Sequence, residues 1–285
     1  MHRHKSTYSQ SNKNKFVAAF FLLAFNLFYQ SIAIAAPYEL AWDKLNEDLD
    51  VAQVTVPQGA LFSSELVLFR SSLLRYRIGV IRASEYGWYR NTARALGRES
   101  RATLAINANF FDEKGKALGL VISRGIISQS VHKGGSTLSG IFSISSSGPD
   151  IINRSQLSPH GILEAVQAGP RLLVNGEPVK GIRDPDVLTK RSGICIDREK
   201  RVVIYCVSSG LLGVSISQLQ SILTLPSVGC EDALNLDGGG SSQLYLNVPE
   251  SSTFKELFIE GTDTIPVALG LFPINQSIAQ ETGDE

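Results

Sequence analysis

A glycine-rich turn that follows an apolar strand carries the residues best suited to chemistry. The turn consists of Asp237, Gly238, Gly239, Gly240, Ser241 and Ser242. Glycines let the backbone approach a ligand closely, and successive N–H groups in such a turn can bind an anion such as phosphate. Asp237 would then stand at a strand end beside the anion, as a nucleophile or a base. In the alternative interpretation this is a plain turn in which Asp237 bonds to its own backbone.

A second group of polar residues follows another predicted strand, at residues 102–107. Asn107 and Asn109 supply carboxamides and Asp112 supplies a carboxylate, with two phenylalanines between them. Carboxamides can bind sugar hydroxyls, and aromatic rings can stack on sugar rings. We therefore predict that Asn107 and Asp112 act in the site and that Asn109 binds substrate. In the alternative interpretation the phenylalanines belong to the core and the asparagines form a turn.

Two further segments can position a phosphate group. Gly169 and Pro170 predict a fixed bend at the start of a strand. We predict that Gly169 contributes to substrate binding. Arg191 precedes another predicted strand, and a guanidinium can bind phosphate through two parallel hydrogen bonds. A solvated surface arginine is the alternative for Arg191.

Strands dominate the elements that must hold these residues in place. Segments closed by Gly, Asn, Asp or Pro are predicted as strands at residues 65–69, 76–81, 102–107, 118–122, 139–144, 172–174, 194–197, 202–207, 234–236 and 243–247. Two helices are predicted, at residues 85–96 after Ser84 and at residues 217–223. Strands outnumber helices and do not alternate with them regularly. The predicted fold class is therefore α+β, a single domain with a mixed, strand-rich β-sheet core and a few flanking helices.

The first 35 residues predict a secretory signal peptide. A basic segment without acids precedes an apolar run at residues 16–28, and Ala33-Ile34-Ala35 fits a small-residue cleavage site. An uncleaved anchor is the alternative, but the run is shorter than the roughly 20 residues that a bilayer span needs. We expect export to a bacterial periplasm or out of the cell, and no membrane contact after cleavage. Residues 36–74 then read as an N-terminal arm with the first strand, 75–273 as the main domain and 274–285 as a polar tail.

The composition is that of a globular protein and excludes several classes. Apolar residues make up 43% and charged residues 19%, and 27 basic side chains balance 27 acidic ones. A basic excess, typical of nucleic-acid-binding proteins, is absent. Loss of the predicted signal removes Arg3, Lys5, Lys13 and Lys15, which changes the formal charge from 0 to −4. Only His132 and His160 then remain, so no cofactor is predicted, although Asp237 and Asp112 leave a divalent-metal hydrolase open.

Three cysteines allow one disulfide in an oxidising compartment. Cys195 and Cys206 flank a predicted hairpin and can face each other there, which makes this pair plausible. Pairings with Cys230 remain open. All three cysteines lie in apolar or strand-like surroundings, which argues against a nucleophilic thiol.

Together and in this order, these segments resemble the phosphodiester glycosidase family, which includes many exported bacterial proteins grouped with exopolysaccharide biosynthesis. The matching pieces are residues 107–112, 119–122, 169–170, 191–193 and 236–242, and the resemblance spans about residues 75–272. Family members usually have threonine after the arginine. This chain has Ser192 there, which keeps the hydroxyl.

The resemblance implies a hydrolase that cleaves a GlcNAc-like sugar from a sugar-1-phosphodiester of cell-envelope or exopolysaccharide origin. Asp237 would be the nucleophile or base, Arg191 and the backbone of the glycine turn would bind phosphate, and Asn107 would bind the sugar. Asp112 would be the second carboxylate. One carboxylate could suffice, because the leaving phosphate monoester has a second pKa of about 6. The alternative is a non-catalytic polysaccharide-binding or biosynthesis accessory protein on the same fold.

Overall fold

A computed structural model describes residues 38–251 and 255–274 of the chain. The predicted signal peptide, and the predicted tail after Ile274, lie outside these residues. The described residues belong to one compact unit. Within that part of the chain, no helix has the length and apolar character needed to cross a bilayer.

Three antiparallel sheets account for most of the described residues. The strands are β1 (Asp43–Asn46), β2 (Leu49–Gln58), β3 (Phe62–Ser71), β4 (Tyr76–Arg82), β5 (Leu104–Asn107), β6 (Val121–Ser123), β7 (Ile126–Gln129), β8 (Gly140–Ser145), β9 (Gly148–Asn153), β10 (Ile162–Ala168), β11 (Arg171–Val174), β12 (Glu177–Pro178), β13 (Ser192–Asp197), β14 (Val202–Ser209), β15 (Cys230–Asn235), β16 (Leu244–Asn247), β17 (Glu256–Ile259) and β18 (Val267–Pro273). The large sheet has the order β1-β2-β3-β14-β13-β15-β11-β12, and the two five-stranded sheets have the orders β17-β16-β5-β18-β4 and β7-β6-β10-β8-β9.

The strand-rich character is as predicted, but the strand directions are not. Every pair of neighbouring strands in these sheets is antiparallel, where a mixed sheet was predicted. Antiparallel neighbours need no helical crossover between them. This accounts for the presence of only two α-helices in the described residues.

The described part of the segment predicted as an arm with one strand, residues 38–74, supplies three strands of the large sheet. These are β1, β2 and β3. Strand β3 pairs with β2 along its whole length and with β14 from Glu65 to Ser71. The alternation in β2 explains this, because Val54 and Val56 are buried while Gln53 and Thr55 are exposed. Such a period of two is typical of a strand with one face on the core.

The second predicted helix is confirmed, and the first is placed wrongly. Helix α2 spans Ile216–Leu223 and is capped by Ser215. In place of a helix at 85–96, one 3₁₀ turn ends at Gly87, and helix α1 (Ala93–Ser100) begins after Thr92. Gly97 lies inside α1, because a Cβ there would overlap the Tyr245 ring on which the helix packs.

The main hydrophobic core is shared by all three sheets. It contains Val67 and Ile204 from the large sheet, Leu104 and Leu269 from one five-stranded sheet, and Val166 from the other. Helix α2 covers the opposite face of the large sheet, and α1 covers the outer face of the sheet that contains β5. Because the sheets meet at this core, strand ends from different sheets are brought close together.

The structure corrects the predicted disulfide. Cys195 is bonded to Cys230, with a Cα–Cα distance of 5.9 Å, and Cys206 is free. The β13–β14 register places Cys195 opposite Val203, so the predicted partner is not its neighbour. Cys206 belongs to the main core, whereas the bonded pair belongs to the cluster under α2. Burial raises the pKa of the Cys206 thiol to about 12, which leaves it unreactive at neutral pH.

We expect one free thiol per unfolded chain, at Cys206. Alkylation under denaturing, non-reducing conditions followed by peptide mapping checks this, and label on Cys195 or Cys230 would contradict it. Because the bridge closes a loop with a sequence separation of 35, Cys230→Ser should lower the free energy of unfolding by about 3–4 kcal/mol. The control Cys206→Ala should cost only about 1 kcal/mol.

Candidate active site

The Asp237 peptide lies where two sheets meet and is held by bonds from both. The chain passes there from β15 of the large sheet to β16 of a five-stranded sheet. The Asp237 N–H donates to the Ala108 carbonyl, just after β5, at 3.1 Å. The Asp237 carbonyl accepts from Asn107 Nδ2 at 2.7 Å and from Ser192 Oγ, on β13, at 3.1 Å. Strand ends of both sheets therefore fix the backbone of Asp237.

The Asp237 carboxyl is a weaker acid than an ordinary aspartate side chain. Burial raises its pKa to about 6, and the nearby charge of Asp263 adds to the rise. The Ser241 hydroxyl and the Gly238 N–H donate to the carboxylate and lower the pKa in part. Asp237 is therefore mostly ionised at neutral pH but much more basic than an ordinary carboxylate.

The glycine turn wraps around Asp237 and uses most of its own N–H groups. The Gly239 N–H donates to the Lys190 carbonyl at 2.8 Å. The N–H groups of Ser241 and Ser242 donate back to glycine carbonyls within the turn, each at 3.2 Å. Among the glycine amides, that of Gly240 has no acceptor within residues 38–251 and 255–274. The turn therefore has fewer N–H groups left to bind an anion than the sequence predicts.

A second carboxylate, Asp263, lies beside the turn and was missed by the sequence analysis. Its N–H donates to the Gly240 carbonyl at 3.1 Å. A Cβ on Gly240 would overlap the Asp263 carboxylate and the Thr262 hydroxyl, so this approach requires glycine. The available signal in the sequence was the short run 261–264, which carries two threonines and Asp263 and ends two residues before β18. It borders a strand, as Asp237 does.

Gln243 joins these parts and was also missed. Its Nε2 donates to the Asp263 carbonyl at 2.9 Å and to the Ser241 carbonyl at 3.3 Å. Its Oε1 accepts the N–H of Ala93, the first residue of α1, at 2.6 Å. Gln243 is buried, so these bonds fix the two carboxylate-bearing loops against the helix.

Asp112 occupies a different cleft. Its carboxylate accepts the Lys116 N–H at 2.8 Å within a tight turn. It lines a cavity of about 490 Å³ that includes Arg82 and Trp88 but no residue of the turn 237–242. The charge that acts on the Asp237 carboxyl is that of Asp263. In the described part of the chain, no cluster of three or more His, Cys, Asp or Glu side chains is suited to a metal.

Arg191 is buried, with 8% of its surface exposed, and bonds to loop carbonyls. Its Nε donates to the Val214 carbonyl and its Nη2 to the Val187 carbonyl, both at 2.9 Å. No ion pair involves Arg191 among the described residues. Burial lowers its pKa. A buried guanidinium without a carboxylate partner is suited to an anionic ligand.

Asn107, predicted to bind sugar, is fully buried and bonds to both ends of the turn. Besides its bond to Asp237, its Oδ1 accepts the Gln243 N–H at 3.2 Å. The Ser192 hydroxyl, on the other sheet, donates to the same Asp237 carbonyl. The hydroxyl at position 192 therefore helps to fix the backbone of Asp237. The structure therefore gives Asn107 a positioning role, and its contact with a sugar stays a prediction.

Asn109 and Gly169 lie near the end of β10. Asn109 is buried, and its Nδ2 donates to the carbonyls of Leu120 and Gln167, both at 3.0 Å. Gly169 has φ +150°, and a Cβ there would overlap the Thr137 carbonyl, so only glycine fits. Both residues thus shape the backbone here, and their contact with substrate stays a prediction.

Comparison with known proteins points to one family. A family model described as phosphodiester glycosidase matches residues 100–272. The match includes every site residue described above. No curated protein matches the chain.

Three solved structures share the fold. The catalytic domain of zebrafish N-acetylglucosamine-1-phosphodiester alpha-N-acetylglucosaminidase, auto-inhibited by its pro-peptide, aligns with a TM-score of 0.61 and 18% identity over 84% of this chain and 89% of that one. A Synechocystis protein aligns with a TM-score of 0.56 and 17% identity over 83% and 64%. A Burkholderia pseudomallei protein described as exported aligns with a TM-score of 0.57 and 9% identity over 83% and 96%. At these identities the likeness shows the fold.

We expect Asp237→Asn to stabilise the protein at pH 8 but not at pH 4. Because burial raises the pKa of Asp237 to about 6, the stability present below its ordinary pKa is lost as pH rises through 6. Asparagine keeps the shape without the charge, so the free energy of unfolding at pH 8 should rise by about 1–3 kcal/mol. Urea denaturation at both pH values measures this.

The matched control is Glu199→Gln, which removes an exposed carboxylate at the β13–β14 turn. It should change stability by less than about 0.5 kcal/mol at either pH. If Asp237→Asn is no more stable than the wild type at pH 8, the carboxylate is not destabilised by its surroundings.

Proposed function

The chain belongs to the phosphodiester glycosidase family, and we propose that it is an exported hydrolase that releases a GlcNAc-like sugar from a sugar-1-phosphodiester. The observation that carries the proposal is the pairing of two buried groups. Asp237 is a carboxylate with a raised pKa whose peptide is held by hydrogen bonds from two sheets, and Arg191 is a buried cation that has no acidic partner among the described residues. The residues on either side of Arg191 bond to Asp237 or to its turn.

The chemistry of Asp237 and Arg191 matches the cleavage of a sugar-1-phosphodiester. The bond between the anomeric carbon and the phosphate oxygen is cleaved, and the phosphate monoester leaves with the electron pair. A phosphate monoester has a second pKa of about 6, so it departs with little help from an acid. Arg191 and the Gly240 N–H, which has no acceptor in the described part of the chain, would neutralise the leaving phosphate.

Asp237 supplies the carboxylate that the reaction needs. As an anion it can stabilise the oxocarbenium-like transition state, by attack on the anomeric carbon or by deprotonating water. Burial, with a smaller contribution from the charge of Asp263, keeps the pKa of Asp237 high, which makes the carboxylate a better base. Asn107, Ser192 and Gln243 act as positioning residues, because they hold the peptide and the loop that present it.

Different observations support the proposed substrate class and the proposed export of the protein. The zebrafish relative by fold is named for GlcNAc-1-phosphodiester cleavage, which makes a GlcNAc phosphodiester the first substrate to test. The Cys195–Cys230 disulfide fits an oxidising compartment, as expected for an exported protein. An envelope or exopolysaccharide source for the sugar phosphate follows from export.

We expect the chain from residue 36 onward to release free sugar from methyl GlcNAc-1-phosphate, followed by NMR, which also reports the anomer formed first. Asp237→Asn should lower kcat by about 10²–10⁴-fold, because the essential carboxylate is lost. Its unchanged or raised stability separates this loss from unfolding.

Glu199→Gln is again the control and should retain wild-type turnover. Asp112→Asn in the same assay decides between the two candidates for the second carboxylate. Full activity of that variant would support Asp263. If the folded wild type releases no sugar from GlcNAc, GalNAc or glucose 1-phosphodiesters, the hydrolase proposal is wrong and a binding role is favoured.

The pH dependence gives an independent prediction. Since Asp237 must be ionised and its pKa is raised to about 6, kcat/KM should fall tenfold per pH unit below about pH 6. Burial is the main cause of the raised pKa of Asp237, and Asp263→Asn removes the charge that adds to it, so the acidic limb of this variant should move modestly to lower pH. Glu199→Gln should leave the limb in place, and an equal displacement in both variants would contradict the assignment.

A further inference from the structure

Two neighbouring loops expose four large apolar side chains, which we call the apolar rim. Leu61 and Phe62 lie at the tip of the β2–β3 hairpin and are 87% and 55% exposed. Leu211 and Leu212 follow β14 and are 86% and 38% exposed. Isolated exposed leucines are ordinary on protein surfaces, but a contiguous apolar group marks an interaction surface.

The two loops are fixed side by side. Gln58 Nε2 donates to the Gly213 carbonyl at 2.8 Å, which ties the hairpin to the second loop. Gly210 approaches Ser63 and Ser64 so closely that a Cβ would overlap them. Neither loop contains a charge, since residues 56–64 and 207–214 have no Asp, Glu, Lys or Arg. The rim is therefore a single, rigidly mounted and uncharged apolar surface.

The rim borders the candidate active site through Arg191. The Val214 carbonyl that accepts from Arg191 Nε ends the Leu211–Leu212 loop. The Val187 carbonyl that accepts from Nη2 lies on a third loop, and Val187 itself is 56% exposed. A phosphate held by Arg191 would therefore lie beside exposed apolar side chains.

The chain also enters the described fold on this side. Tyr38, its first described residue, shares a shallow cavity with Ser215 and Gln218. Gln218 Nε2 donates to the carbonyl of Pro57, on the rim hairpin, at 3.3 Å. The apolar run 16–28 precedes Tyr38 by only nine intervening residues. The point at which the chain enters the described fold therefore lies next to the rim.

Contrary to the expectation from the sequence that membrane contact ends with signal cleavage, we propose that the apolar rim docks the protein on an uncharged bilayer surface and that the substrate is a sugar phosphodiester of a membrane lipid. The docking stands without the proposed function, and the substrate class rests on it. On the loop of Val187, exposed Asp184 and Asp186 outnumber exposed Arg183, so this loop has no excess positive charge to attract anionic lipids, which favours zwitterionic ones. The lipid chain would stay with the bilayer at the rim while its sugar phosphate reaches Arg191 and Asp237.

Flotation with phosphatidylcholine vesicles tests the docking. The probe is the chain from residue 36 onward, because the compact unit begins at Tyr38 and holds all core clusters. We expect the wild type to float with the vesicles and Leu61→Ser/Leu211→Ser to lose at least about tenfold in partition coefficient, given the apolar area of two leucines. Raising the salt concentration should not release the protein, since the contact is apolar.

The matched control is Leu74→Ser/Ile126→Ser, which also removes two exposed apolar side chains. Leu74 lies beyond the opposite end of β3, and Ile126 lies in another sheet, so this variant should float like the wild type. A wild type that stays in solution, or equal losses in both variants, would overturn the proposal. So would a dimer in sedimentation velocity that only the rim variant abolishes, because the rim would then bind a second copy.

The substrate class has its own readout. The kcat/KM for a hexadecyl GlcNAc-1-phosphodiester in vesicles is compared with that for the soluble methyl diester. We expect the wild type to prefer the vesicle-borne substrate and Leu61→Ser/Leu211→Ser to lose about tenfold of that preference. An equal ratio for both proteins contradicts the lipid substrate. If neither substrate is cleaved, the proposed function fails, and flotation alone still decides the docking.

Discussion

The peptide of Asp237 is bonded to strand ends of two different sheets, and the site depends on this constraint. Ala108 and Asn107 hold it from the β5 side, and Ser192 holds it from β13. These bonds require the register that brings the ends of β5, β13 and β15 together around one core. The backbone that carries this carboxylate is therefore held in place, since neither sheet can move without breaking one of these partly buried hydrogen bonds.

The same region contains buried charges and buried polar atoms that destabilise the fold. Asp237 is partly buried beside Asp263, and Arg191 is buried without a carboxylate. The side-chain oxygens of Asn109, Asn235 and Ser242 are also buried without a protein partner in the described chain. Costs of this kind concentrate at functional sites, where a ligand can compensate them. The apolar rim beside Arg191 extends the pattern, since its exposure is unfavourable unless a partner covers it.

The elements that the sequence predicted well are those with strong local patterns. The strand at 76–81 is observed as β4, and the hairpin around residues 198–201 is observed as β13 and β14. Helix α2 carries a capping Ser215 and an apolar face, and both are local signals. The errors arose where tertiary contacts override local preference. Gly97 looked like a helix end but is required inside α1 by Tyr245, and residues 36–74 looked like an arm until β3 was paired with β14.

By itself, the sequence determined the chemical types and their local order: a strand that delivers Asp237 to a glycine turn, an arginine before another strand, a predicted export signal and the family resemblance. Each of these is set by residues close together in the chain, where spacing dictates geometry. Only the tertiary structure decided that Asp263 and not Asp112 is the neighbour of Asp237, that Cys195 bonds to Cys230, and that Arg191 is buried with no acidic partner in the part of the chain that the structure describes. Those facts join residues far apart in sequence, and they follow from sheet order and register, which no local pattern encodes.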